Sequence, residues 1–397
     1  MHDWLQRRLT DVCTRITVGH VGSMASQYVS VGVPFLRSQN IKRGWIDFSS
    51  VVYIDQEFHE RLVKSQLNSG DLVIVRTGEP GTAAVVPEGV GPLNCSDLVI
   101  ATPGPEVDAR FLCYAINETA QSFVRAHTVG AVQQHFNVKS AKELTLYVPP
   151  LSEQIAIVDV LGALDDKIAV NERIAVGSRS LGLKLLTHAL ALDGVHEISV
   201  GSLTSVITRG VAPKYSDAPN DLIVLNQKCI RDGRVNLEPS RITIRDKVKT
   251  PKLLESNDVL VNSTGVGTLG RVARWTRQIE ATVDSHVSIV RFDATKVDPV
   301  CAGLAMLRAQ PEIEGLGEGS TGQTELSRSK LGSLEISLPT PEQQRRLRPQ
   351  LDSLEERADY ALRESLTLAE LRDALLPQLM SGHLRVRDAE KIVEDMT

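Results

Sequence analysis

Two stretches of this chain are built from short apolar runs broken by turn residues. Each is followed by a long stretch with uninterrupted helical periodicity. Leu72-Val-Ile-Val75 and Val259-Leu-Val261 are brief, β-branched-rich runs, which predicts strands. A turn signal precedes each, Ser69-Gly-Asp71 or Ser256-Asn-Asp258, and a glycine loop follows, Arg76–Gly81 or Ser263–Gly267. Helices are predicted at Ala109–Ala120 and Val300–Ala309. After Pro149-Pro150 the pattern changes. Ser152 reads as an N-cap for a helix running to about Leu192, stopped by Asp193-Gly194. Thr340 reads as the cap of a second, with Pro341 at its first position and Gln343 completing a capping box; it ends near Met380 at Ser381-Gly382.

Both long helices carry an apolar stripe at three-to-four spacing. The first has Leu161, Leu164, Ile168, Asn171, Ala175, Ser178, Gly182, Leu185 and Ala189. The second has Leu351, Leu354, Ala358, Ala361, Ser365, Leu368, Arg372, Leu375 and Leu379. Such a stripe predicts a coiled-coil spacer in which Leu161, Leu164, Ile168, Leu185, Leu351, Leu354, Leu368 and Leu375 are the large seam residues. Two helices packed on separate cores are the alternative.

The second half of the chain echoes the first at a shift of about 190 residues, far longer than a solenoid period. Leu36–Asp47 matches Leu225–Asn236, Gly70–Gly81 matches Asn257–Thr268, and Leu144–Pro149 matches Leu334–Pro339, in unbroken order. The expectation is a duplicated fold. Mixed α/β (α+β) recognition domains lie at 1–151 and 194–339. Long helices at 152–193 and 340–382 form an antiparallel coiled coil with pseudo-twofold architecture, and 383–397 is a tail.

A net charge of −5 is unusual for a nucleic-acid binder. The acidity lies mainly in the helices: residues 341–397 hold 12 acidic and 9 basic side chains, and 151–195 hold 6 and 4. The lobes are near neutral, so local patches carry any phosphate affinity, helped by a partner. In the first copy Lys42, Arg43 and Arg76, and in the second Arg231, Arg234, Arg271 and Arg274, are candidate phosphate contacts; a solvated charged face is the alternative. Thr77-Gly78 and Thr264-Gly265 read either as close backbone approaches to phosphate or as plain turns. Gln133, Gln134 and Gln323 are candidate adenine readers or ordinary surface amides.

No run of about 18 apolar residues predicts a membrane span. The opening MHDWLQRRLTD lacks an apolar signal core, and five scattered cysteines without CxxC suit a cytoplasmic location. No Walker loop, cofactor glycine loop or Asn/Asp-Pro-Pro-aromatic tetrapeptide occurs. Acidic pairs Asp165-Asp166 and Glu355-Glu356 are read as facing solvent or a basic partner rather than a metal. An enzyme of unrecognised methyltransferase or nuclease type, and a non-catalytic protein scaffold, are the rival classes.

The duplicated layout and the junction motif resemble the specificity subunits of type I restriction–modification enzymes. That motif, an apolar strand running into proline and then Glu-Gln, is Leu146–Gln154 in one copy and Ile336–Gln343 in the other. The resemblance implies two target recognition domains reading a split site in double-stranded DNA, with helices that bind two modification (methyltransferase) subunits. It implies no cofactor in this chain. S-adenosylmethionine, ATP and Mg belong to partners, a restriction subunit among them, and the complex methylates adenine.

Overall fold

The computed structural model describes residues 4–24, 26–127, 136–193, 196–218, 220–318 and 325–396. The chain divides into two compact units, Met1–Val170 with Glu364–Thr397, and Asn171–Arg363. The division runs through both long helices, Leu151–Asp193 and Pro341–Met380, rather than falling at their ends. Each lobe is therefore one compact body with half of each helix.

In the first unit an antiparallel sheet has the order Ala83–Val85, Leu72–Val75, Leu98–Pro103, Cys13–Val18. The second unit repeats it as Val272–Arg274, Val259–Asn262, Val287–Phe292, Thr204–Arg209. The predicted strands at 72 and 259 are internal in these sheets and buried at every position, as their unbroken apolar runs require. A second sheet also recurs. Val33–Leu36 lies parallel to Leu93–Cys95 and antiparallel to Val52–Ile54. Leu222–Leu225 lies parallel to Ala281–Val283 and antiparallel to Arg241–Thr243. The duplication is thus one of topology.

The turn before each internal strand shows why its residues are what they are. Gly70 and Asn257 occupy it with φ of 84° and 69°, a region glycine enters freely and asparagine tolerates. Asp71 and Asp258 each accept a backbone N–H across that turn, from Asn68 and Glu255, both at 2.8 Å.

Within the first unit, Leu161 and Leu164 of the central helix share a core with Leu368, Leu375, Leu376 and Leu379 of the C-terminal long helix. Arg372 pairs with Asp165 at 2.7 Å and Glu364 with Lys167 at 3.5 Å, so the helix segments run antiparallel. Within the second unit Leu186 and Leu351 share a core, and a Cβ on Gly182 would lie 3.6 Å from the Leu351 side chain. Ala175, Ser178, Ala358 and Ala361, small residues of the stripe, are buried.

Several expectations need correction. Leu185 is half-buried and Leu186 takes the core position, because a 3.6-residue turn drifts away from a strict heptad. Ile168 and Leu354 are likewise half-buried. The central helix begins at Leu151, so Ser152 lies inside its first turn. The capping box does not close: the Gln343 N–H reaches Thr340 Oγ1 at 3.4 Å, but Gln343 Oε1 is buried without a partner. The predicted tail contains a helix, Val386–Met396, whose Ala389 is fully buried in the first core. Asp165 is half-buried: it binds Arg372 and accepts the Tyr114 hydroxyl, and burial together with that carboxylate pushes the phenol pKa up.

The junction motif has a structural cause. Gln154, fully buried, donates to Pro149 O at 2.8 Å and Glu106 O at 3.1 Å and accepts the Asp108 N–H at 2.9 Å. Gln344 makes the matching bonds to Pro339 O at 2.8 Å and from the Asp298 N–H at 2.9 Å. The true counterpart of Gln154 is therefore Gln344, one residue beyond the sequence alignment's Gln343. Each glutamine ties a strand end, a loop and a helix start together. Gln154→Ala orphans buried backbone groups and is expected to cost about 1–3 kcal/mol. Urea unfolding of the full chain checks this; an unchanged midpoint would remove the glutamine from the account.

Candidate nucleic-acid interface

The glycine loops leave equivalent strands at equivalent points. Gly78 and Gly265 have φ of 100° and 105°, so both loops need glycine for their backbone path. A backbone hydrogen bond anchors each loop entrance in the same way, Phe136 N to Arg76 O at 3.0 Å and Leu326 N to Ser263 O at 2.8 Å. Gln133, Gln134 and Gln323 precede these anchors and lie outside the described residues.

On this shared backbone the side chains differ. In the first unit Arg76 pairs with Asp97. In the second, His286 stands at the position matching Asp97 and its Nδ1 lies 2.8 Å from Thr264 Oγ1. Gln227 donates to both Thr264 O and Thr264 Oγ1 at 2.6 Å. Asp97, His286 and Gln227 escaped the sequence reading, since lone polar residues carry no spacing signal. The repeat alignment, followed from Leu98 and Val287 back by one residue, is the signal that finds Asp97 and His286.

The remaining candidates fall into different settings. Lys42 is exposed on the hairpin Ile41–Lys42/Trp45–Ile46, and Arg43 beside it pairs with Glu118 at 3.3 Å. Thr77 is half-buried in its loop. Arg231, exposed, and Arg234, half-buried, occupy the matching hairpin, where Arg231 lies 3.5 Å from Asp232. Arg271 donates to Gly267 O at 2.9 Å within the second glycine loop. Arg274 departs from expectation: it is 8% exposed on an edge strand and bonded to Glu355, so it is a structural cation rather than a surface phosphate contact. In the basic stretch between Arg241 and Lys252, Arg245 is bound by Glu280 at 2.7 and 2.8 Å and Lys252 by Thr208 and the Arg209 carbonyl. Among the described residues no group of three or more His, Cys, Asp or Glu side chains is placed to hold a metal, and no helix is long and apolar enough to cross a membrane.

One topology is used twice, with different polar side chains on the same loop. Residues 1–176 match the family described as the type I restriction modification DNA specificity domain. The chain is 21% identical to the type I restriction enzyme MjaX specificity subunit of Methanocaldococcus jannaschii, over 97% of this chain and 94% of that one. The structure of the type I restriction–modification system S subunit from M. genitalium has the same fold, with a TM-score of 0.59 at 16% identity, covering 95% of this chain and 96% of that one. Over its whole length the chain is similar to type I restriction–modification specificity subunits, and residues 1–176 match that family's DNA specificity domain.

Proposed function

We propose that each lobe reads one half of a split DNA target through its glycine-loop face. The observation that carries this is the pair of equivalent loops with unlike chemistry, Arg76 and Asp97 in one, Thr264, His286 and Gln227 in the other. A shared backbone fixes a common way of meeting the duplex, and different donors and acceptors then select different bases. The two half-sites accordingly differ in sequence. The antiparallel long helices act as the spacer that sets the unread gap, and their exposed faces receive two modification subunits. Those partners supply S-adenosylmethionine and adenine methylation, while a restriction subunit supplies ATP- and Mg-dependent cleavage. The complex works in the cytoplasm.

A gel-shift on random-sequence duplexes, with and without a modification subunit, tests the reading. Enrichment of a bipartite sequence supports it; retention by protein alone favours a scaffold, and methyl transfer by the isolated chain an enzyme. Arg271→Ala, beside the second glycine loop, is expected to weaken duplex binding several-fold and lower the salt slope by about one. Unchanged affinity and slope would place the contact surface elsewhere.

A further inference from the structure

The second unit contains a cavity of about 560 Å³ between its hairpin, the edge strand with Arg274, and its segments of both long helices. Arginines dominate the lining. Arg179, Arg234, Arg277 and Arg308 face it and, among the described residues, make no hydrogen bond or ion pair. Arg231 and Arg271 lie at the same cavity, and Arg274 contributes a guanidinium already committed to Glu355. The carboxylates are fewer: Asp232, Glu355 and Asp359. One guanidinium nitrogen of Arg179 and one of Arg274 are buried without any partner.

Arg179, Arg234 and Arg277 are half-buried without acceptors, which is costly, and a bound anion supplies the acceptors. The recess is walled by the hairpin, the edge strand and both helix segments, so a small anion can enter it and a duplex cylinder cannot fill it. The volume falls within the range of small-molecule sites, roughly 300–1,000 Å³. Leu183, Leu304, Leu307 and Leu362 give the same cavity an apolar wall. The duplication sharpens the point. At the positions matching Arg234, Arg277 and Arg308 the first unit has Trp45, Glu88 and Glu118, so this cationic cavity is not part of the shared lobe plan.

We propose that this cavity binds one small phosphate-bearing anion of nucleotide size, with the arginines holding phosphate and the leucines an apolar body. The site adjoins the second glycine loop through Arg271 but does not rest on the split-target reading. Titration calorimetry of the full chain with pyrophosphate, and separately with a nucleoside monophosphate, tests it. Saturable binding at one per chain is expected for both. Arg179→Gln with Arg308→Gln should weaken each at least about tenfold, since charged hydrogen bonds are lost, while random-duplex retention stays the same. A second measurement needs no variant: pyrophosphate should raise the unfolding temperature where chloride at equal ionic strength does not. Absence of saturable binding, binding indifferent to both substitutions, or a parallel loss of duplex affinity would each overturn the proposal. The last result would make the cavity a duplex contact.

Discussion

Replacing Arg291 with methionine is expected to destabilise the second unit by about 3–5 kcal/mol, the usual result of stripping one partner from a buried ion pair. Arg291 donates to both oxygens of Asp258, at 2.8 and 2.7 Å, and the Asp258 side chain is fully buried. The same guanidinium binds Glu255 and the Leu253 carbonyl, the latter at 2.8 Å. Burial pushes the Asp258 carboxyl pKa above its ordinary value even with Arg291 holding it down. Without Arg291 the pKa rises further. A carboxyl that binds its proton more tightly folded than unfolded loses stability as pH rises through its folded pKa. The variant should therefore be least impaired at acid pH and progressively worse toward neutrality. Trp275, fully buried and donating its backbone N–H to Asp258 O at 2.7 Å, reports this unit by fluorescence once Trp4 and Trp45 are replaced by phenylalanine. A urea midpoint that is unchanged, or that improves with pH, contradicts the expectation. The first unit carries Thr102 against Asp71, at 2.5 Å, so the matching Thr102→Val should cost only about 1–3 kcal/mol.

Inserting one heptad into both long helices is expected to lengthen the unread spacer and keep both half-sites, on the reading that helix length sets the gap. Seven residues add about 10.5 Å of helix at about 1.5 Å each, roughly three base pairs at about 3.4 Å. A whole heptad returns the apolar stripe to nearly the same face, so antiparallel contacts such as Arg372–Asp165 can re-form on either side. An insertion in one helix alone leaves the partner segments out of register and should lower stability and assembly together. Strand-resolved methylation mapping with the cognate modification subunit reads the spacer directly. A spacer of unchanged length would show that the helices do not set it.

The duplication, the internal strands at 72 and 259, and the two long helices were legible because each rests on a local pattern: an apolar run between turn signals, or a 3.6-residue stripe with end signals. The turn residues Gly70 and Asn257 were legible too, since only a few residue types accept a positive φ. Leu185 misled because seam positions depend on how a real helix drifts against its partner. Arg274 misled because a cation on a short polar-flanked strand gives no sign that Glu355, 81 positions away, will bury it.

The sequence by itself therefore determined that this protein holds two copies of one mixed α/β lobe joined to long helices, because those elements are written in spacing a few residues wide. Only the tertiary structure decided which polar groups meet: Gln154 and Gln344 as paired clamps, Asp97 and His286 at one shared loop position, and seven arginines around one cavity. Such meetings join segments tens of residues apart, and no periodicity along the chain records them. They come into being when buried carbonyls, carboxylates and guanidinium groups must find partners in three dimensions.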